Sequence, residues 1–266
     1  MNDIVFGQYL PGHSIIHRLD PRLKIASLLL LLIAVFFDAG FIGYGLIGIF
    51  VLCALFLSRI PVKRVLKSMK PMIFMVIFLT IFNLFFVRIG HVVYRVGPFP
   101  IYSGAIRQTE YIVVRLVLII CLTTMLTSTT KPLDMTLGLE CLMKPLGKVG
   151  FPVHEVAMMI SIALRFIPTI IEETMRIMNS QKSRGVDFEE GKLKEKIQAI
   201  LSLVVPLFSV AFERAYELAD AMEARGYIPG AERTRYRKLK YRTADYLFIL
   251  GSIVIMVLMI LSRFYL

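Results

Sequence analysis

Between Ile25 and Ser58 the chain carries a single charged residue, Asp38. A helix crosses the roughly 30 Å hydrocarbon core of a bilayer with about 20 mostly apolar residues, so this run is too long for one crossing. Asp38, Ala39 and Gly40 make a natural turn. The expectation is a tight helical hairpin with arms at 24–38 and 41–58. The first arm is short unless Leu23 extends it and Arg22 and Lys24 snorkel to the surface.

Further apolar runs lie at Pro71–Val87, at Thr109–Thr130 with Arg115 near one end, and at Ala244–Ser262. This predicts five spans, at about 24–38, 41–58, 71–88, 109–130 and 244–262. Composition agrees. Hydrophobic residues make up 57% of the 266 and charged ones 19%, with a mean hydropathy of +0.71. A soluble domain holds about 45–50% apolar residues and has no means of hiding this excess. The lipid bilayer is therefore the expected solvent for much of the surface.

The net charge of +12 raises nucleic acid as a partner, but the cations sit where a membrane protein keeps them. Arg18, Arg22 and Lys24 precede the first span. Arg59, Lys63, Arg64, Lys67 and Lys70 separate the second from the third. Lys131 follows the fourth, and Arg233, Arg235, Arg237, Lys238, Lys240 and Arg242 precede the fifth. The 38–40 turn has no cation, and the 88–107 loop spreads Arg88, Arg95 and Arg107 among Gly, Pro and aromatics. The positive-inside bias then puts the N-terminus in the cytoplasm and the C-terminus outside. The 233–242 run reads as a juxtamembrane anchor, and no nucleic-acid partner is expected. The first ~20 residues lack an apolar stretch of the signal-peptide kind, so no cleavable signal is expected. Cys53, Cys121 and Cys141 show no metal spacing and read as small apolar residues in a reducing compartment.

The segment from Lys131 to Arg242 differs. Its apolar runs, Val156–Ile171 and Ile197–Phe212, are short for spans and are interrupted by Arg165 and Pro168, and by Pro206. Each continues into charged, helix-compatible sequence. Such a pattern fits long helices with an apolar half against membrane or partner and a polar half in water. The expected organisation is a membrane domain over 1–130, a cytoplasmic coupling domain over 131–232 with helices near 132–147, 153–184 and 192–225, and a basic anchor with the last span over 233–266. The alternative is that both runs cross as well, giving seven passes and placing the charged stretch Lys182–Lys196 outside.

The two long helices end alike, in Ser183-Arg184-Gly185 and Ala224-Arg225-Gly226, with the arginines 41 residues apart. Glu172 and Glu213 each stand twelve residues before the Arg, and Pro168 and Pro206 lie upstream. A single Arg-Gly is ordinary helix punctuation, because Gly tolerates the left-handed backbone and a cation suits the C-terminal dipole. Its repetition suggests a pair of cationic knobs whose guanidinium forks suit carboxylates on partners. Glu172 and Glu173 precede Arg176 at helical spacing and read first as support for a solvated face.

Catalytic signatures are absent. There is no nucleotide-cradling Gly-x-x-x-x-Gly-Lys-Ser/Thr loop, so the chain has no P-loop of its own. There is no His-Glu-x-x-His and no Gly-x-Ser-x-Gly elbow. His13 and His17 form a weak ligand set beside Pro11 and Gly12, and no metal is expected on this chain. Charges inside the spans are scarce, Arg115 being the main one, and a buried charge there must be paired. Nothing resembles a proton relay.

Three stretches bear a family likeness. Gly7-Gln8-Tyr9-Leu10-Pro11-Gly12-His13-Ser14, with His17-Arg18-Leu19-Asp20-Pro21-Arg22-Leu23-Lys24, resembles the N-terminal signature of the T component (EcfT family) of energy-coupling-factor (ECF) ABC transporters. Leu164-Arg165-Phe166-Ile167-Pro168, with Glu172-Glu173, resembles that family's central motif, and the Arg-Gly endings its paired arginine motifs. The likeness covers essentially the whole chain. It implies an all-α integral membrane protein of about five transmembrane helices plus a cytoplasmic coupling domain of long amphipathic helices. It implies a non-catalytic scaffold in a bacterial or archaeal cell membrane. The partners would be two ABC-type ATPase subunits, which bind the ATP and Mg, and a membrane-embedded S component that captures a vitamin or other micronutrient. Arg184 and Arg225 would each dock into a groove on one ATPase. Arg165, Pro168, Glu172, Glu173, Pro206 and Glu213 would shape the coupling helices. Met135, Met143, Met158, Met159, Met175 and Met178 read as core filling or as a pliable surface for exchangeable S components. Two other classes stay in view: a membrane-embedded enzyme acting on lipid-linked substrates, for which only Asn83 and a few Ser and Thr offer polar groups in the spans, and an ABC permease with its own substrate path.

Overall fold

The computed structural model describes residues 9–37, 40–96, 99–188, 192–229 and 239–265. Asp38 and Ala39, Gly7 and Gln8, and the cations from Arg233 to Lys238 lie outside the described residues. The helices are α1 (Pro21–Phe36), α2 (Gly40–Ser58), α3 (Val62–Phe86), α4 (Ser103–Thr129), α5 (Pro132–Met143), α6 (Val153–Ser183), α7 (Leu193–Ala224) and α8 (Thr243–Tyr265). Short 3-10 turns cover Ile16–Arg18 and Lys144–Val149. Between α3 and α4, where a loop is expected, the chain forms an antiparallel hairpin of β1 (Val92–Val96) and β2 (Phe99–Tyr102).

Six helices are long and apolar enough to cross a membrane by length and composition: α2, α3, α4, α6, α7 and α8. This differs from the five expected spans in two ways. It includes the two long helices read as cytoplasmic, and it omits α1, whose sixteen residues fall short of the ~20 a span requires. α3 starts at Val62, well before its apolar run, because Lys63, Arg64, Lys67 and Lys70 are good helix formers and Pro71 is carried inside the helix. The protein is an all-α membrane protein, with the hairpin as its one departure among the described residues.

The chain divides into two units: residues 1–142 with 238–266, and residues 143–237. In the first, α4 packs against α1, α2 and α3, while α8 packs against α1 and α2. The core joins Ile25, Leu28, Leu31, Ala34 and Val35 of α1 with Tyr44, Ile47 and Val51 of α2. It is completed by Leu118, Cys121, Leu122 and Leu126 of α4 and by Ile255 and Met259 of α8. Leu31, Ile47, Leu122 and Met259 are fully buried. On the outside, Phe56, Phe74, Phe86, Leu247 and Leu250 are exposed, as hydrocarbon-facing side chains must be.

The N-terminal signature folds into this unit as a polar clasp. Asp20 caps α1, accepting from the Arg22 N–H at 2.9 Å. The Asp20 N–H donates to Asp245 Oδ1 at 2.7 Å, and the Arg242 N–H donates to Asp245 Oδ2 at 2.6 Å. Asp245 is thereby fully buried and serves the starts of α1 and α8 together. Arg22 donates to the Tyr241 hydroxyl and the Leu239 carbonyl, each at 3.1 Å, and its guanidinium lies over the Tyr241 ring. The buried Lys24 ammonium donates to the Thr129 carbonyl and the Thr130 hydroxyl at the end of α4. These bonds satisfy backbone groups that helix ends would otherwise leave unpaired.

The second unit holds α6 and α7, packed together, with the preceding 3-10 turn against α6. It has almost no core of its own. Val153, Ala157 and Ala199 are its buried residues among those described.

Candidate functional site

Both long helices close with the same backbone device. At the end of α6 the Gly185 N–H bonds to the Lys182 carbonyl at 3.0 Å and the Val186 N–H to the Gln181 carbonyl at 3.1 Å, with Gly185 at φ +85°. At the end of α7 the Gly226 N–H bonds to the Glu223 carbonyl at 2.8 Å and the Tyr227 N–H to the Met222 carbonyl at 2.9 Å, with Gly226 at φ +70°. Each is a complete Schellman closure. The left-handed φ explains both glycines, since a Cβ is disfavoured there. It does not explain the arginines. Arg184 and Arg225 take the helix-capping position with φ and ψ within a few degrees of each other, −88° and 7° against −91° and 11°. Ser183, Arg184, Gly185, Ala224, Arg225 and Gly226 are all exposed. The closures aim two like cationic side chains into solvent from two like tips.

The likeness extends along the helices. At an offset of 41 residues, Ser161 matches Ser202, Glu172 matches Glu213 and Arg184 matches Arg225, with Val156/Ile197, Ile160/Leu201, Leu164/Val205 and Ile171/Phe212 apolar at both positions. Ser161 and Ser202 both turn their hydroxyls back onto the helix, donating to the carbonyls of Ala157 and Ala199.

α6 and α7 meet at equivalent positions of this repeat. Glu173 Oε2 lies 3.7 Å from an Arg214 guanidinium nitrogen and 3.5 Å from that of Arg176. The segment after α6 lines a shallow cleft in which Gly185, Val186 and Asp187 lie against Glu195, Gln198, Ala199 and Ser202 of α7. Moving forward along α6 thus means moving backward along α7, and the pair is antiparallel. From the Glu173–Arg214 contact each capping arginine is eleven residues away, or about 16 Å of helix. The tips therefore point to opposite ends of a two-helix rod with a local pseudo-twofold centre at the ion pair. In such an arrangement each helix presents the same surface to its neighbour.

The other predicted residues fall along this rod. Pro168 and Pro206 sit inside α6 and α7, where each removes one backbone hydrogen bond. Arg165, Glu172 and Glu213 are exposed, while Glu173 keeps only 14% of its side chain exposed. The structure brings Glu173 into the helix–helix contact and leaves Arg165, Glu172 and Glu213 on the surface.

A family model described as cobalt transport protein (CbiQ) matches residues 12–236. The energy-coupling factor transporter transmembrane protein EcfT of Bacillus subtilis (strain 168) is 44% identical over 263 residues, 99% of each chain. That of Lactococcus lactis subsp. cremoris (strain MG1363) is 41% identical over 261 residues, 98% of each. The chain belongs to the EcfT family.

In this EcfT-family chain two functional-looking residues have structural roles that their sequence context hid. His17 donates through Nε2 to the Leu10 carbonyl at 3.1 Å, so its Nδ1 accepts the Ser14 hydroxyl at 2.6 Å. Both ring nitrogens are engaged, and burial holds its pKa below the ordinary 6.5, with Lys24 and His13 pushing the same way. Arg115 donates to the Tyr44 hydroxyl at 2.7 Å and lies over the Phe36 ring at 5.5 Å, so it ties α4 to the α1–α2 hairpin. Asp245 carries the clasp around α1 and α8 but has no sequence signal beyond an acid in a helix's first turn.

Proposed function

We propose that this chain couples the work of two ABC-type ATPase subunits to the movement of a membrane-embedded S component. The chain is the transmembrane component of an energy-coupling factor transporter. In our reading the α6 tip seats Arg184 on one ATPase and the α7 tip seats Arg225 on the other. ATP and Mg belong to those subunits. The cargo is a vitamin or other micronutrient held by the S component. The membrane is a bacterial or archaeal cell membrane, with the N-terminus in the cytoplasm, the C-terminus outside, and residues 131–232 as the coupling domain facing the ATPases.

One observation carries this reading: a single antiparallel rod ends, at both ends, in an exposed arginine held by the same backbone closure. A guanidinium fork recognises carboxylates with bidentate geometry. Two ATPases that approach or separate would push on opposite ends of the rod. Because the helices touch at its centre through Glu173 and Arg214, such a push turns one helix against the other. The apolar sides of the rod, with Ile197, Leu201, Val205, Phe208 and Phe212 exposed on α7, would carry that motion to whatever covers them.

The test is copurification in mild detergent. Arg184→Ala and Arg225→Ala should each weaken ATPase retention roughly thirtyfold, as loss of one partner of a desolvated charged pair does, while the protein still inserts. Wild-type recovery of both ATPases by the double variant would defeat the reading. So would labelling that places positions 184 and 225 outside the cell.

A further inference from the structure

We propose that the outward face of α3 is a binding site for an acidic phospholipid. Arg59, Lys63, Lys67 and Lys70 hold the headgroup phosphate, and the exposed apolar residues beyond them receive an acyl chain. This inference does not rest on the docking reading.

Charge marks the site. No Asp or Glu occurs between Asp38 and Glu110, while Arg59, Lys63, Arg64, Lys67 and Lys70 fall within twelve residues. Lys63, Lys67 and Lys70 follow the four- and three-residue spacing that lines up side chains on one helix face. That face points away from the core. Val65, on the other side of α3, packs against the core, and Asn83 is the buried residue of the helix. Arg59, Lys63, Lys67 and Lys70 are exposed, and none of them has an ion-pair partner among the described residues.

Local stability does not account for these cations. Lys63 and Arg64 stand in the first turn of α3, where the helix dipole favours anions, and no acidic side chain or side-chain cap is present there. Arg59 follows the end of α2 at φ +55°, the one non-glycine residue with a left-handed backbone among those described. The other described residues with positive φ, Gly40, Gly90, Gly150, Gly185 and Gly226, are all glycine. A Cβ is disfavoured in that conformation, so a cation is kept where glycine would relax the turn. An anionic phosphate beside these groups offsets both penalties.

The rest of the face identifies the occupant. Phe74, Ile77, Phe78 and Ile81 continue the lysine stripe at helical spacing, and all four are exposed. From Lys70 to Ile81 is about 16 Å of helix, close to the ~15 Å that one leaflet contributes to the hydrocarbon core. A cationic head with one leaflet of uncovered apolar surface below it complements a lipid, with phosphate at the interface and acyl chain along the helix. A protein occupant fits less well. Protein interfaces are depleted in Lys and favour Arg, whose planar fork pairs with carboxylates.

The experiment reconstitutes the full chain in vesicles of equal phosphatidylglycerol and phosphatidylcholine. The chain is then extracted in mild detergent, and the lipid it retains is quantified by mass spectrometry. Phosphatidylglycerol should be enriched about tenfold or more. Arg59→Gly, which suits the left-handed turn and removes one charge, should lower the enrichment about fivefold, as one cation near the lipid surface does. The triple variant Lys63→Gln, Lys67→Gln, Lys70→Gln should abolish it, and arginine at the same three positions should keep it. Removing as many cations elsewhere, with Lys144→Gln, Lys148→Gln and Lys194→Gln, should leave it unchanged. Equal retention of the two lipids by the wild-type chain overturns the proposal. So does unchanged enrichment in both Arg59→Gly and the triple glutamine variant. An equal loss in the Lys144, Lys148 and Lys194 variant also overturns it, since net charge and not this face would then be the cause. In the complete transporter, a photo-crosslinking residue at position 67 should capture lipid. Capture of a protein chain in its place assigns the face to a protein and removes the lipid site.

Discussion

The unit of residues 1–142 with 238–266 and the unit of residues 143–237 solve the same problem in opposite ways. The first closes on itself. Its helices α1, α2, α4 and α8 share a buried apolar cluster, and the starts of α1 and α8 converge on one buried carboxylate. In the second, two helices of 31 and 32 residues bury three residues among those described and expose large side chains along their length. Both are apolar enough to enter lipid. The difference teaches that hydrophobicity alone does not make a core. An element whose apolar face stays uncovered must be completed by something else, lipid or a partner.

The contrast can be broken most forcefully at Asp245. Asp245→Ala strands the buried N–H of Asp20, worth about 1–3 kcal/mol when left without an acceptor, and removes the carboxylate that the N–H of the exposed Arg242 donates to. The expected loss is about 1–3 kcal/mol, read as a drop in the detergent melting temperature. If melting is unchanged, the first unit does not depend on its clasp.

His17 gives a pH-dependent counterpart. Its pKa is lowered in the folded protein, so the neutral ring is the native form. Its contribution to stability is complete above the ordinary value of 6.5 and is lost as pH falls below it. Melting temperature should therefore decline on acidification from pH 7.5 to 5.5, and the decline should be shallower in His17→Gln. Equal slopes would remove His17 from the account.

Glu173→Gln should act gently on folding. Arg214 keeps 35% of its side chain exposed, and screened pairs of this kind contribute about 0.2–1 kcal/mol. Transport driven by ATP should nevertheless fall, since the pair joins the halves of the rod. Unchanged transport would show that the two helices move as one without it.

The smallest effect on stability belongs to the tips. Arg184→Ala and Arg225→Ala should leave melting within about 0.5 kcal/mol of wild type, as exposed substitutions do, even as assembly fails. A large loss of stability there would mean that the tips are structural.

Much of this was legible in the residues. The charge-poor run around Asp38, the basic loops and the two proline-broken amphipathic segments announce an all-α membrane protein with a distinct second region. The Arg-Gly repeat announces two like helix ends, because a helix closure is local and glycine is its signature. Less legible were the starts of helices, where polar sequence such as Val62–Lys70 continues a helix that hydropathy begins later. The roles of Arg115 and Asp245 were not legible, since their partners Tyr44 and Asp20 lie far away in sequence; that of His17 was not, because it reaches Leu10, seven residues back, through an irregular turn with no local signature.

The sequence by itself determined the long helices, their apolar character and the paired tips, because backbone closure, apolar length and charge placement are properties of short windows of chain. Only the tertiary structure decided that the two long helices run antiparallel and meet at equivalent positions of their repeat. It also decided that one acid serves two helix starts. Those facts depend on which distant segments satisfy each other's unpaired groups, and no local pattern encodes that choice.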